Sequence, residues 1–147
     1  MKRLDRVWLW AVLSLVWMGV IYWLSDQPAG DYGDANRWFD WLPYTGTFAH
    51  IGLYCVLSVL ALRTLMLLRP VSEGLIAYST VFVAFVYGVL DEIHQKSVEG
   101  RASEAIDVVA DVFGSVLVVV FWFLVKRYRA RPSEQSSEKN VDANQGS

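Results

Sequence analysis

Residues 105–125 read AIDVVADVFGSVLVVVFWFLV, an apolar run long enough to cross a lipid bilayer as a helix. Two acids, Asp107 and Asp111, lie near its beginning. An Asp at the centre of a membrane-spanning helix costs roughly 2.5 to 3.5 kcal/mol, so such residues are normally retained by a partner, a water-filled cavity or a function. This stretch therefore predicts a transmembrane helix and a functional site near its start.

Three further apolar blocks precede this stretch, and polar loops separate all four. The four predicted spans are residues 7–24, 48–68, 75–90 and 105–125. The third is slightly short of the roughly 20 residues that a span needs, so we expect flanking residues or local thinning of the bilayer to compensate. The predicted fold class is all-α, a polytopic membrane protein with a four-transmembrane-helix bundle and both termini cytoplasmic.

The chain divides into a membrane domain, residues 1–131, and a polar tail, residues 132–147. The tail is rich in Ser, Glu, Asn and Gln, which predicts a disordered cytoplasmic segment.

The first span resembles a signal peptide in its basic start, but its apolar run is long and no Ala-x-Ala site follows, so we expect it to be retained. The single cysteine, Cys55, is predicted to be a small packing residue.

The basic residues are distributed unevenly between the two sets of helix ends. One set carries nine of them: Lys2, Arg3, Arg6, Arg63, Arg69, Lys126, Arg127, Arg129 and Arg131. The loops at the opposite ends carry three: Arg37, Lys96 and Arg101. Because cytoplasmic loops carry the excess of Lys and Arg, the first set is predicted to be cytoplasmic. The chain is thus expected in the inner (cytoplasmic) membrane, with residues 25–47 and 91–104 outside.

Small and polar residues recur at helical spacing on three of the spans. His50, Tyr54 and Ser58 share one face of the second span. The corresponding stripes are Thr80, Ala84, Tyr87, Gly88 and Asp91 on the third span and Asp107, Asp111, Gly114 and Ser115 on the fourth. Small residues let helices approach closely, and polar residues hydrogen-bond between helices. These stripes predict a bundle with a polar pocket that opens outward.

Each polar residue also has a purely structural explanation. Asp91 and Glu92 are compatible with a helix that simply ends in headgroup water. Ser103 is a candidate cap for the fourth helix, and Asp107 is favourable near the positive end of that helix. Asp111 fits this explanation less well because it lies roughly 6 Å deeper, so we expect it to be paired or protonated.

Arg101 is the obvious counter-charge for Asp107 and Asp111. Its planar guanidinium can bridge two carboxylates or hold a phosphate. Two interpretations of Arg101 therefore stand, a structural lock and a ligand-binding residue. His50 is likewise either a hydrogen-bonded structural histidine or an acid, base or ligand.

Other chemistries have less support in the sequence. The residues of metal-ligating type are His50, Glu92, His94, Asp107 and Asp111. None has a diagnostic metal-binding spacing, so the sequence predicts no metal site and no cofactor. There is no Gly-x-Ser-x-Gly elbow, P-loop or dinucleotide fingerprint, and nothing predicts nucleic-acid binding. Catalytic residues cannot be assigned from these patterns.

The polar motifs follow one another in an order that resembles the VanZ-like family of membrane proteins. They are His50 and Tyr54, then Glu92-Ile93-His94-Gln95, then Arg101-Ala102-Ser103, then Asp107-Val108-Val109-Ala110-Asp111-Val112-Phe113-Gly114. The sequence departs from the family pattern in two places: the Asp-Lys pair that often precedes the histidine is Gly46-Thr47 here, and the usual Asn is Asp111. The namesake of the family is associated with reduced susceptibility to teicoplanin, which implies a bacterial cell-envelope role.

The expected functional cluster comprises His50, Tyr54, Asp91, Glu92, Gln95, Arg101, Ser103, Asp107 and Asp111. The first hypothesis is a non-enzymatic modulator of the cell envelope whose pocket binds membrane lipid, a lipid-linked envelope precursor or a lipoglycopeptide. The second is an intramembrane enzyme acting on a lipid-linked phosphate or sugar, with His50 or Glu92 as acid or base. The third is a structural or assembly protein, including a homo-oligomer, in which the cluster locks helices together.

Overall fold

The computed structural model describes residues 3–27, 45–68, 71–100 and 104–130. These residues form four helices and no strand: α1 (Arg3–Ser25), α2 (Thr45–Leu67), α3 (Glu73–Gln95) and α4 (Ala105–Arg129). Each helix is long and apolar enough to cross a membrane. The predicted class, an all-α membrane protein with four spanning helices, is therefore confirmed.

The third helix is longer than its apolar run. α3 contains 23 residues, from Glu73 to Gln95, so it includes flanking residues on both sides of the predicted span 75–90, as expected for an apolar run that is slightly short. Its first turn is capped by Ser72, whose hydroxyl accepts a hydrogen bond from the Leu75 N–H at 3.3 Å. The polar residues of the last turn remain helical because the neighbouring helices bury them and supply partners.

The centre of the bundle is α2, which packs against all three other helices. It lies close to α4 at Gly114, where an added Cβ atom would be 2.6 Å from the carbonyl oxygen of Ile51. The Cys55 thiol donates a hydrogen bond to the Gly114 carbonyl oxygen at 3.3 Å. Glycine at position 114 thus allows the backbones of α2 and α4 to lie side by side.

The helix α1 lies at the edge of the bundle and buries few residues. Trp8 and Trp23 of this helix are exposed. Trp17 differs from them, because it is half-buried and its indole N–H donates to the Leu53 carbonyl oxygen of α2 at 2.9 Å. An indole N–H has no acceptor in the hydrocarbon of the bilayer, so pairing with a carbonyl oxygen is favourable.

The antiparallel arrangement separates the two kinds of polar residue. The last turns of α1 and α3 and the first turns of α2 and α4 meet at one end, here called the polar end. At the opposite end, Lys126 forms an ion pair with Glu73, and the Arg63 guanidinium lies 5.3 Å from the centre of the Trp10 ring. Basic residues therefore collect at the end that the positive-inside rule predicts to be cytoplasmic, and the membrane side itself stays a prediction.

Candidate functional site at the polar end

The pair formed by His50 and Asp111 is the most buried polar contact between α2 and α4. His50 Nδ1 lies 2.9 Å from Asp111 Oδ1, and Asp111 is 0% exposed. When Asp111 is ionised its carboxylate only accepts hydrogen bonds, so in that state Nδ1 of His50 carries the proton and donates it. This contact confirms the expectation that Asp111 is paired, and its partner is a histidine on another helix.

The second carboxylate oxygen of Asp111 has no hydrogen-bond partner among the described residues. It packs against Gly88 of α3, where an added Cβ atom would lie 2.5 Å from Oδ2. Three buried hydroxyl groups also lack a partner in the described part of the chain, and they belong to Tyr54, Ser58 and Ser115. Buried polar atoms without partners are costly, so the interior has hydrogen-bonding capacity that the described protein atoms do not use.

The predicted stripes do face the bundle interior. His50, Tyr54 and Ser58 are buried on α2, and Thr80, Ala84, Gly88 and Asp91 are buried on α3. On α4 the buried members are Asp111, Gly114 and Ser115. Two further members, Tyr87 and Asp107, are half-buried. Helical spacing therefore identified the packed faces correctly, whereas the outward pocket between them stays a prediction.

Asp107 lies one turn before Asp111 and pairs with a different residue of α2. The Thr47 hydroxyl donates to Asp107 Oδ1 at 3.1 Å. Thr47 belongs to the Gly46-Thr47 pair, which is one of the two places where this sequence departs from the VanZ-like pattern. The hydroxyl at that position thus supplies a neutral partner for Asp107.

The last turn of α3 contributes three buried polar residues. Gln95 Nε2 donates to Asp91 Oδ2 at 3.1 Å and to the Ser25 hydroxyl at 3.4 Å. Glu92 Oε2 accepts from the backbone N–H of Glu104 at 2.8 Å. The interpretation that Asp91 and Glu92 end a helix in headgroup water is therefore wrong, because protein surrounds both carboxylates.

The contact with Glu92 also explains why α4 begins at a different residue from the one predicted. Glu104 occupies the N-cap position of α4, with φ −120° and ψ 122°, so the expected cap at Ser103 is wrong by one residue. The reason is that Glu92 receives the backbone N–H of Glu104 and holds it against α3. Ser103 and Arg101 lie outside the described residues, as does the tail 132–147. Pairing of Arg101 with Asp107 or Asp111 therefore stays a prediction.

His94 does not join the cluster although it lies on the same helix turn. Its Nε2 atom is 3.1 Å from Asp26 Oδ1, and its ring stacks on Tyr22 with centroids 4.3 Å apart. This contact between α1 and α3 was not predicted from the sequence. His94 and Asp26 lie 68 positions apart, so no local pattern reveals the pair.

Three ligand-type side chains converge at the polar end. His50, Glu92 and Asp107 each offer one donor atom, and these atoms all lie within 4.8 Å of one another. Because the three residues come from three different helices, no spacing along the sequence reveals the set. The sequence-based expectation of no metal site stays untested by this geometry.

The helices and contacts define a class, namely a polytopic membrane protein with four spanning helices and a buried polar cluster at one end. A family model described as VanZ/LLP1 matches residues 10–126, which is most of the chain. The chain therefore belongs to the VanZ-like family. No curated protein and no solved structure matches it.

Proposed function

We propose that the protein is a non-enzymatic modulator of the bacterial cell envelope that binds a polar envelope component at its polar end. The observation that carries this proposal is Asp111, which is 0% exposed and has an oxygen without a partner among the described residues. A carboxylate at this depth in a spanning helix costs free energy, and such residues are usually found at functional sites. The lone oxygen accepts hydrogen bonds, which suits a hydroxyl or amide N–H donor.

The depth of the polar residues supports binding from the water-facing end. Asp107 and Thr47 are half-buried at the first turns of their helices, and Asp111 and His50 lie one turn deeper and are buried. A headgroup or sugar that enters from this end meets the half-buried pair before the buried pair. Ligands with this chemistry are a membrane lipid headgroup, a lipid-linked envelope precursor and a lipoglycopeptide such as teicoplanin.

The distribution of charge supports an outward orientation for this end. Basic residues Arg63, Lys126, Arg127 and Arg129 lie at the opposite end of the bundle. The positive-inside rule directs that end to the cytoplasm. The polar cluster then faces the compartment in which wall precursors are assembled and glycopeptides act.

The test is the inhibitory concentration of teicoplanin for a susceptible Gram-positive host that expresses the protein. We expect wild type to raise it, and Arg101→Ala and Arg101→Lys to abolish the rise at equal membrane protein level, because Lys lacks the planar fork. Lys96→Ala is the matched control, since Lys96 is an exposed basic residue of the same loop. No rise with wild type, or wild-type behaviour of both Arg101 variants, would contradict the proposal.

One observation favours a second candidate function, an intramembrane enzyme acting on a lipid-linked phosphate or sugar. A carboxylate that orients a histidine through one ring nitrogen leaves the other nitrogen as a general base, and Asp111 and His50 have this arrangement. The test is product formation from a polyprenyl-phosphate-linked sugar by the purified protein in liposomes. Unchanged turnover by a His50→Gln, Glu92→Gln double variant would exclude these two residues as acid and base.

The amount of protein in the membrane distinguishes a purely structural role of the cluster from either of the two functions. If the cluster only locks the helices together, Asp107→Asn lowers abundance and thermal stability, and activity per molecule is unchanged. Immunoblotting of membranes beside each activity measurement therefore distinguishes a folding defect from a loss of function.

A further inference from the structure

We propose that His50, Glu92 and Asp107 bind one divalent transition-metal cation of the zinc type, with Asp111 orienting the histidine. The site lies at the polar end. It is independent of the proposed function, because a metal can bind there whether or not the protein acts on the envelope. The proposal also revises the sequence-based expectation of no metal site.

The distances between the three donor atoms are near those of a metal site. The three donor atoms lie within 4.8 Å of one another and come from α2, α3 and α4. Donor atoms bound to one zinc ion at about 2.0 to 2.2 Å lie roughly 3 to 4 Å apart. The three atoms therefore need to move inward by less than about 1 Å, which side-chain rotation can supply.

The contact between His50 and Asp111 is a second, independent observation that points to a metal. Histidine ligands almost always donate their other ring N–H to a carboxylate or carbonyl group, which sets the tautomer and raises the basicity of the ligand nitrogen. His50 Nδ1 is paired with Asp111 Oδ1 at 2.9 Å, which leaves Nε2 for coordination. Asp111 is itself 0% exposed and packs against Gly88, so the carboxylate that contacts the ring is enclosed by protein.

The charge of the cluster favours a cation. Three carboxylate residues, Asp91, Glu92 and Asp111, are buried at the polar end, and Asp107 is half-buried beside them. No Lys or Arg is buried among the residues that the structure describes. Acidic groups in a low-dielectric interior repel one another, and a bound divalent ion is the largest local charge that can offset this repulsion.

The donor set selects the kind of metal. One imidazole nitrogen and two carboxylate oxygens suit zinc, whereas magnesium and calcium prefer oxygen ligands alone. Thiolate-seeking ions are disfavoured because the single cysteine, Cys55, lies further along α2 and donates its thiol to Gly114. Three protein ligands leave a coordination position open to water or to an anionic oxygen such as that of a phosphate.

The test uses the full chain purified in detergent and dialysed against zinc chloride, with bound zinc measured by inductively coupled plasma mass spectrometry. We expect one zinc ion per wild-type chain and none in His50→Gln or Asp107→Asn at the same free zinc concentration. His94→Gln is the matched control, because His94 pairs with Asp26 outside the cluster and should keep full binding. Asp111→Asn should weaken affinity about 10- to 100-fold, as removal of a histidine-orienting partner does elsewhere.

A second measurement keeps the test decisive where a variant folds poorly. Cobalt chloride added to the wild-type chain should give a visible absorption spectrum that zinc abolishes and that His94→Gln retains. If His50→Gln is not monodisperse, Asp107→Asn decides the outcome, because Asp107 is half-buried in the first turn of its helix.

Two results overturn the metal site. One is a monodisperse wild-type chain that binds neither zinc nor cobalt, and the other is equal binding by His94→Gln and by a folded His50→Gln or Asp107→Asn. Zinc binding without any effect on teicoplanin susceptibility retains the metal site and removes the proposed function. An effect on teicoplanin susceptibility without zinc binding retains the proposed function and rules out the metal site.

Discussion

Asp111 of α4 packs so closely against Gly88 of α3 that a Cβ atom at position 88 would lie 2.5 Å from Asp111 Oδ2. The other carboxylate oxygen, Oδ1, is held at 2.9 Å by His50 of α2. One buried carboxylate thus contacts two neighbouring helices at once. Its position depends on the absence of a side chain on α3 and on the presence of a histidine on α2.

Gly88→Ala should lower the stability of the folded chain. Alanine has the better helix propensity, but its methyl group would displace Asp111, and overpacking of this kind costs about 1 to 3 kcal/mol. The measurement is the thermal unfolding midpoint in detergent. Gly52→Ala is the matched control, because nothing lies within 4 Å of the Cβ position at Gly52. Equal midpoints for the two variants would show that α3 and α4 do not pack this closely.

Asp111→Asn and Asp111→Ala should differ in stability although both remove the charge. An Asn side chain oxygen can still accept from His50 Nδ1, whereas Ala leaves the histidine N–H without an acceptor and opens a cavity. We expect the Ala variant to be less stable than the Asn variant by about 1 to 3 kcal/mol, measured by thermal unfolding. A destabilisation of equal size in both variants would mean that the negative charge, rather than the hydrogen bond, stabilises this pair.

Tyr87→Phe should weaken the attachment of α1 to the bundle. The Tyr87 hydroxyl donates to the Met18 carbonyl oxygen of α1 at 2.5 Å, and a hydrogen bond of this kind contributes about 0.5 to 1.5 kcal/mol. We expect faster proteolysis of the chain near α1 and a lower unfolding midpoint. The control is Tyr78→Phe, since Tyr78 is an exposed tyrosine of the same helix. Matching behaviour of the two variants would contradict the contact.

Cysteine labelling tests the orientation. In a Cys55→Ser background, a cysteine introduced by Glu99→Cys should react with a membrane-impermeant maleimide in intact cells, because Glu99 is exposed beyond the polar end. Arg129→Cys, at the exposed opposite end, should react only after the membrane is permeabilised. The physical reason is the excess of basic residues at the Arg129 end. Labelling of Arg129→Cys in intact cells would invert the proposed topology.

The number of spans and the buried faces could be predicted from local patterns. Apolar runs of bilayer length predict spanning helices, and a period of about 3.6 residues places His50, Tyr54 and Ser58 on one face. The spacing between Asp107 and Asp111 likewise predicted that the second acid lies deeper and needs a partner. These patterns succeeded because they depend on neighbours within one helix.

The partners of these residues could not be predicted in the same way. Asp111 pairs with His50 and Asp107 with Thr47, and about 60 positions separate the members of each pair. Which turn of α2 meets which turn of α4 depends on the axial offset and rotation of two packed helices. The backbones lie close together at Gly114, where an added Cβ atom would be 2.6 Å from the Ile51 carbonyl oxygen, so this contact is one on which the offset depends.

The sequence by itself therefore determined the four-helix membrane architecture and the interior faces, because the cost of burying polar atoms in lipid is a property of each segment. Tertiary structure decided that Asp91 and Glu92 are enclosed by protein, that His94 turns to Asp26, and that His50, Glu92 and Asp107 converge. Convergence of side chains from three helices depends on distances between helices, and those distances are determined by packing.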